Sequence, residues 1–244
     1  MSIKTTLNYS INFNPKKRLK KQVRFIIFHY TGMKSEKSGI LRLTNIQSEV
    51  SSHYLIKKNG EIISLVPDLF IAWHAGISSW KNYKYLNKHS IGIEITNPGH
   101  QFGYTKFSKK QISSIIKLTK FLIKNYKISK NNILGHSDIA PDRKKDPGEK
   151  FPWKYLAKKN IGLWHNLEIK RLKNLRKKKC KKSSEKVFMK NLSKIGYSKF
   201  SKNKINKNKI FIFTVKAFQR RFRPELINGK IDQECQIIAQ KLVN

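Results

Sequence analysis

The chain has 244 residues, with 53 Lys and Arg against 14 Asp and Glu, a formal net charge of +39, and 39% of its residues are hydrophobic. That apolar content is ample for a packed core, which excludes a disordered polycation, and the length allows one large domain or a main domain with a small second one. No uninterrupted apolar run of about 18 residues occurs, so no transmembrane helix is expected.

The segment MSIKTTLNYSINFNPKKRLKKQ at the start lacks the apolar stretch and small-residue cleavage site of a secretory signal peptide, which favours a cytoplasmic location. Cys180 and Cys235 are too few and too far apart for a disulfide framework or a thiolate metal site. The charge first points to nucleic acid, because clustered Lys and Arg displace counterions from phosphates. Its distribution argues otherwise. Residues 1–165 carry 30 basic and 9 acidic side chains, and residues 166–244 carry 23 and 5. The densest stretch, Lys170 to Lys182 (KRLKNLRKKKCKK), reads as a solvated linker. With no zinc-finger, RRM or basic-zipper motif, no specific nucleic-acid partner is expected, and the charge reads as biased composition plus this linker.

In chain order, Val23 to Phe28 (VRFIIF) reads as a buried strand opening into a loop at His29, Tyr30, Thr31 and Gly32. His53 to Lys57 and Glu61 to Val66 flank Asn59 and Gly60, the dipeptide of a tight hairpin turn. In Ser90 to Thr96 (SIGIEIT), Ile91, Ile93 and Ile95 share one face, and Glu94 points away from it. Ser108 to Gln111 form a capping box ahead of Ile112, Ile115, Ile116, Leu118, Leu122 and Tyr126 at helical spacing. Asn132 to Leu134 make a further strand before Gly135, His136, Ser137 and Asp138, and a loop through Asp146, Pro147 and Gly148 runs to Trp153. This order predicts an α/β domain, a mixed β-sheet covered by helices, ending near His165. Residues 187–197, 211–222 and 232–242 have a helical rhythm, with Asp232 as an N-cap, and predict a small separate three-helix module. The expected division is therefore 1–165, a basic linker 166–186, and 187–244.

Seven histidines are present: His29, His53, His74, His89, His100, His136 and His165. None forms an HExxH motif or a pair at helical i, i+4 spacing, so spacing alone does not choose a metal site among them. Local context does more. The segments FHYTG (28–32), SSHYLI with NG (51–60), AWHAG with SSW (72–80), SIGIEITNPG (90–99), LGHSDIAP (134–141) and RKKDPGEKFPW (143–153) together resemble the type 2 N-acetylmuramoyl-L-alanine amidases. That is the AmpD and AmiD group, related to phage amidase lysozymes and peptidoglycan recognition proteins. The six motifs stand in the family's order, and SINFN at 10–14 resembles the group's N-terminal strand lead-in.

The resemblance implies that His29, His136 and Asp146 are ligands of one Zn2+ per chain. Two imidazoles and one carboxylate leave an open position, the composition of a catalytic zinc site rather than a closed structural one. Glu94 occupies the family's acid position, with the implied role of taking a proton from the attacking water and delivering it to the leaving amine. Lys144 stands where relatives carry a lysine that stabilises the oxyanion, although Lys145 beside it departs from the uncharged residue of many relatives. Trp73, His74 and Trp80 lie in the segment that forms part of the substrate groove in relatives; Trp73 and Trp80 could equally be core residues. Asn97 and His100 are vaguer candidates, and His53 reads as packing or orienting a neighbour.

The implied reaction is hydrolysis of the amide between N-acetylmuramic or 1,6-anhydromuramic acid and the L-alanine of the stem peptide, in peptidoglycan turnover or recycling. The implied partners are peptidoglycan or muropeptide fragments. FMKNLSKIGY (188–197), AFQRRFRP (217–224) and ING with ID (227–232) resemble the small three-helix peptidoglycan-binding domain, although AFQRRF would also suit any amphipathic helix with solvated arginines. Such a module favours the periplasm or an outer-membrane association over the cytoplasm. A non-catalytic wall-binding protein is the alternative reading, and filled ligand positions together with Glu94 argue against it.

Overall fold

Strands β1 (Thr6–Leu7), β2 (Phe13–Asn14), β3 (Phe25–Tyr30), β4 (Tyr54–Ile56), β5 (Ile62–Ser64), β6 (Ile71–Ala72), β7 (Ser79–Trp80), β8 (Tyr83–Lys84), β9 (Ser90–Ile95) and β10 (Ile133–Gly135) form where short β-branched and aromatic runs are bounded by turn residues. They are seen in a computed structural model that describes residues 3–181, 183–197 and 207–244; Lys182 of the basic stretch lies outside these. The main sheet has the order β1-β5-β4-β9-β3-β10. It is mixed: β4 and β5 are the expected antiparallel hairpin across Asn59–Gly60, whereas β4, β9, β3 and β10 are mutually parallel along the sheet.

The helices are α1 (Glu36–Thr44), α2 (Lys109–Tyr126), α3 (His136–Ile139), α4 (Trp153–Ala157), α5 (Ile169–Arg176), α6 (Ser183–Ile195), α7 (Lys207–Phe222) and α8 (Gln233–Lys241). Ser108 caps α2 through a reciprocal box with Gln111, and Asp232 caps α8 by accepting from the Cys235 amide. Side-chain alternation along β3 and β9 splits the core between the two faces of the sheet. Ile26, Phe28, Ile91, Ile93 and Ile95 meet Ile115, Leu118 and Leu122 of α2 on one face. Phe25, Ile27 and Leu134 point to the other, where they pack with Phe188 and Leu192 of α6, Phe218 and Phe222 of α7, and Ile238 of α8.

Two expectations need correction. The C-terminal helices form where their rhythm placed them, but they share a continuous apolar cluster with the sheet instead of standing apart. The basic stretch is not uniformly a solvated linker either. Its first half is α5, in which Leu172 is buried and Arg176 grips Glu234 of α8 at 2.6 and 2.9 Å. Ile169, Leu172 and Leu175 give α5 an apolar stripe that the density of charge concealed.

Candidate metal centre and cleft

Because β9, β3 and β10 run parallel and adjacent, their C-terminal ends deliver residues to one edge of the sheet, the usual place for a site in such folds. The register pairs His29 with Glu94, and pairs Gly135 with Phe28 so that His136 follows one position beyond, level with His29. Asp146 arrives on the following loop, anchored where the Ser137 amide donates to its carbonyl at 2.8 Å. Gly148 holds that loop at φ +86°, with the Tyr104 hydroxyl filling the space a Cβ would need.

The three donor atoms form a nearly equilateral triangle. His29 Nδ1 lies 2.9 Å from His136 Nδ1 and 3.0 Å from Asp146 Oδ2, and His136 Nδ1 lies 3.1 Å from the same oxygen. All three residues are buried, and they form a group able to hold a metal ion. Donors bound tetrahedrally to zinc at about 2.0–2.1 Å stand roughly 3.3 Å apart, within a few tenths of these edges. Hydrogen-bond direction gives a second test. His136 Nε2 must donate to the Ala75 carbonyl at 3.1 Å, which leaves Nδ1 as the nitrogen able to offer a lone pair on the side of Asp146. Electron-rich atoms this close need a proton or a metal cation among them, and the donor set fits a divalent metal of the zinc type.

The electrostatics agree. Burial, reinforced by the His136 charge, lowers the His29 pKa to about 4 despite Asp146, so its lone pair is free near neutrality. Burial alone would raise Asp146, yet the two imidazoles, when protonated in the absence of a metal, hold its carboxyl well below the usual carboxylate range. Glu94 is the opposite case: burial and then the Asp146 charge push it up to about 8, against Lys144 and Arg42. Its buried Oε2 has no protein partner. Glu94, Lys144 and the donor triangle all line one cleft of about 920 Å³. Lys145 lines it too, but Lys144 is the lysine whose charge bears on both His29 and Glu94.

The three groove candidates separate. Trp73 is 36% exposed and lines the cleft. His74 reaches the cleft wall, but both ring nitrogens are engaged, Nδ1 with His29 Nε2 at 3.0 Å and Nε2 with Ser90 Oγ at 3.2 Å, so it is not free to reach a substrate carboxylate. Trp80 is 1% exposed and packs edge-on against Tyr197 at 4.8 Å, so it belongs to the core beneath the C-terminal helices and not to the groove. The β7–β8 turn carries it there, with the Lys81 amide donating to the Gly196 carbonyl at 2.7 Å.

His53 orients a neighbour, accepting from the Gly92 amide at 3.0 Å through Nδ1. Asn97 ties its loop to Thr105, and His100 meets Tyr30 and Glu149 at the cleft margin. Sequence reasoning missed Arg143, whose Nε donates to the Ile77 carbonyl at 3.0 Å and pins the 75–77 loop to the segment before Asp146. It also missed Ser90. Their partners lie far along the chain, and no spacing rule reports them.

An open-sided pair of imidazoles with one carboxylate, and a second carboxyl group beside it, is the equipment of metal-dependent hydrolases, and the site assigns the chain to that class. Residues 19–149 match the family profile described as N-acetylmuramoyl-L-alanine amidase. The chain belongs to this amidase family. It is 36% identical over 234 residues to the N-acetylmuramoyl-L-alanine amidase AmiD of Escherichia coli, covering 91% of this chain and 83% of the relative. A solved complex of E. coli AmiD with anhydro-N-acetylmuramic acid-L-Ala-D-γ-Glu-L-Lys superposes with a TM-score of 0.79 at 35% identity, covering 91% of this chain and 89% of that one. The 1,6-anhydro-N-acetylmuramyl-L-alanine amidase AmpD of Haemophilus influenzae is 42% identical over 113 residues, which is 46% of this chain and 59% of the relative. Among the described residues no helix is long and apolar enough to cross a membrane.

Proposed function

We propose that the chain is a zinc-dependent N-acetylmuramoyl-L-alanine amidase that releases stem peptides from muropeptides, with His29, His136 and Asp146 as the metal ligands. The single observation that carries this reading is the buried donor triangle beside a carboxyl group with an unpartnered oxygen. A zinc ion held there supplies Lewis-acid polarisation of the scissile carbonyl and acidifies a water for attack. Glu94, on the strand next to His29, takes the proton of the attacking water and returns it to the nitrogen of L-alanine as the amine leaves. Its environment supports both halves of that task, since a carboxyl group raised toward neutrality exchanges protons readily near the working pH. Lys144 places a positive charge at the same cleft, suited to the oxyanion that develops on the carbonyl. Trp73 offers an exposed ring at the rim for a sugar or peptide face.

The solved AmiD complex, with an anhydromuramoyl peptide bound, supports this substrate class. Binding of the wall by residues 187–244 is proposed as a second role. It would use the outer surface of those helices, because Arg220, Arg221 and Arg223 of the AFQRRFRP segment are buried. Incubation of the zinc-loaded protein with intact sacculi and, separately, with soluble 1,6-anhydromuropeptides tests the amidase reading, with released peptides identified by mass, and co-sedimentation with the sacculi tests wall binding. Cleavage of the soluble fragments alone would mark a cytoplasmic recycling enzyme, and cleavage of sacculi an enzyme of the envelope. No peptide from either substrate would refute the amidase reading.

A further inference from the structure

Zinc ligation through Nδ1 of His29 requires the ring proton on Nε2, and an isolated imidazole does not enforce that choice. The surroundings of His29 do. The Leu86 carbonyl can only accept, so the Ser90 hydroxyl spends its single proton there, at 2.6 Å. Ser90 Oγ must then accept from His74 Nε2–H at 3.2 Å. With its proton on Nε2, a neutral His74 presents a lone pair at Nδ1, and that lone pair lies 3.0 Å from His29 Nε2. The chain of directions closes on one arrangement: His29 donates from Nε2 and keeps Nδ1 free for the metal.

The backbone makes room for this relay. A Cβ at Gly92 would come within 2.4 Å of the His74 ring, so the absence of a side chain there lets the imidazole lie against β9. Gly92 is itself held by His53 through its amide. Ser90 and His74 are both buried, which protects the sequence of bonds from exchange with solvent.

We infer that His74 is a positioning residue for the metal centre, acting with Ser90 as a proton-direction relay that locks His29 in the zinc-binding tautomer. Ligand histidines commonly donate their second N–H to a carboxylate, carbonyl or water, and such partners tune affinity by about 10–100-fold. Here an imidazole fills that place, which makes the partner's own tautomer part of the site. The inference rests on the proposed zinc ligation by His29.

The test compares the parent, His74→Leu and His74→Gln, all verified as folded by cooperative thermal melts. Zinc affinity is measured by competition with a chromophoric chelator, and the His29 tautomer in the metal-free proteins by 15N NMR. His74→Leu removes both bonds and is expected to weaken zinc binding by about 10-fold or more. His74→Gln, with an adjacent acceptor and donor, is expected to restore affinity to within about 3-fold of the parent. The metal-free parent is expected to carry its His29 proton on Nε2, and His74→Leu to lose that preference. Zinc binding by His74→Leu as tight as the parent's, equal weakening in both variants, or a parent His29 protonated on Nδ1 would each overturn the relay. His29→Ala separates the two levels: undiminished zinc affinity in that variant would refute the ligand assignment, while the tautomer measurement still decides the relay.

Discussion

Arg221 of α7 donates to the carboxylate of Asp138, two residues beyond His136 on α3, with both side chains buried. The same guanidinium donates to the Ile133 carbonyl at 3.0 Å and lies 4.1 Å from the Trp153 ring centroid. Tyr197 donates to the other Asp138 oxygen at 2.8 Å, and that carboxylate also accepts from the Gly135 amide at 2.8 Å. The C-terminal helices thus brace the turn that presents His136. Arg221→Met leaves Asp138 as an uncompensated buried charge and is expected to cost about 3–5 kcal/mol, read by urea unfolding. A loss below about 1 kcal/mol would show that the brace carries little.

The shared core makes a stronger prediction about domain boundaries. A chain ending at His165 would expose Phe25, Ile27, Leu134 and Ile139 and strip Asp138 of Arg221 and Tyr197. Such a fragment is expected to aggregate or to lack a cooperative melt. A soluble fragment with the parent's Tm and activity would show that residues 1–165 are self-sufficient.

Glu94 carries two linked expectations. Glu94→Gln is expected to lower kcat by about 10²–10⁴-fold while zinc affinity is kept. In the metal-free protein, burial holds the carboxyl up to about 8, above its ordinary 4.5. The folded state therefore keeps a proton that the unfolded state releases between those values. The contribution is full below pH 4.5 and is lost as pH rises toward 8, at up to about 1.4 kcal/mol per pH unit. Relative to Glu94→Gln, the metal-free parent should lose Tm across that window, and parallel pH curves would contradict the assignment.

Lys144 and Lys145 should separate in kinetics. Lys144→Ala is expected to reduce kcat by about 10²-fold, the loss typical of one oxyanion donor, with KM little changed. Lys145→Ala should stay within a few-fold of the parent in both constants. The reverse pattern would transfer the role to Lys145.

The two tryptophans test the division between groove and core. Trp73→Ala should raise KM for muropeptides without lowering Tm, since that ring stands exposed at the cleft. Trp80→Ala should cost about 3–5 kcal/mol of stability, as removal of a buried aromatic does.

These contrasts mark where the sequence was readable. Alternation in FIIF and SIGIEI carried the central strands and turned Glu94 from the apolar face, and the Ser108 capping box and the Asp232 N-cap carried α2 and α8. The proposed ligand set was read from the ordered family motifs, not from histidine spacing, and the structure brings those three residues together. What stayed hidden depends on contacts remote in sequence. The direction of Trp80 is decided by Tyr197, more than a hundred residues later, and the burial of Arg221 by Asp138, 83 residues earlier. An amphipathic period in AFQRRF reads as solvated arginines until the acid that receives one of them is known. The engagement of His74 with His29 stayed hidden for a related reason, because its motif names the residue but not the direction of its ring.

The most direct measurement is mass analysis of the products formed when the zinc-loaded protein meets a purified anhydromuramoyl-L-alanyl peptide, beside His29→Ala and Glu94→Gln controls. The account predicts two products, the free anhydro sugar acid and a peptide with L-alanine at its new amino terminus, formed by the parent and nearly absent from both variants. Cleavage at any other bond, or equal turnover by the His29→Ala variant, would contradict it.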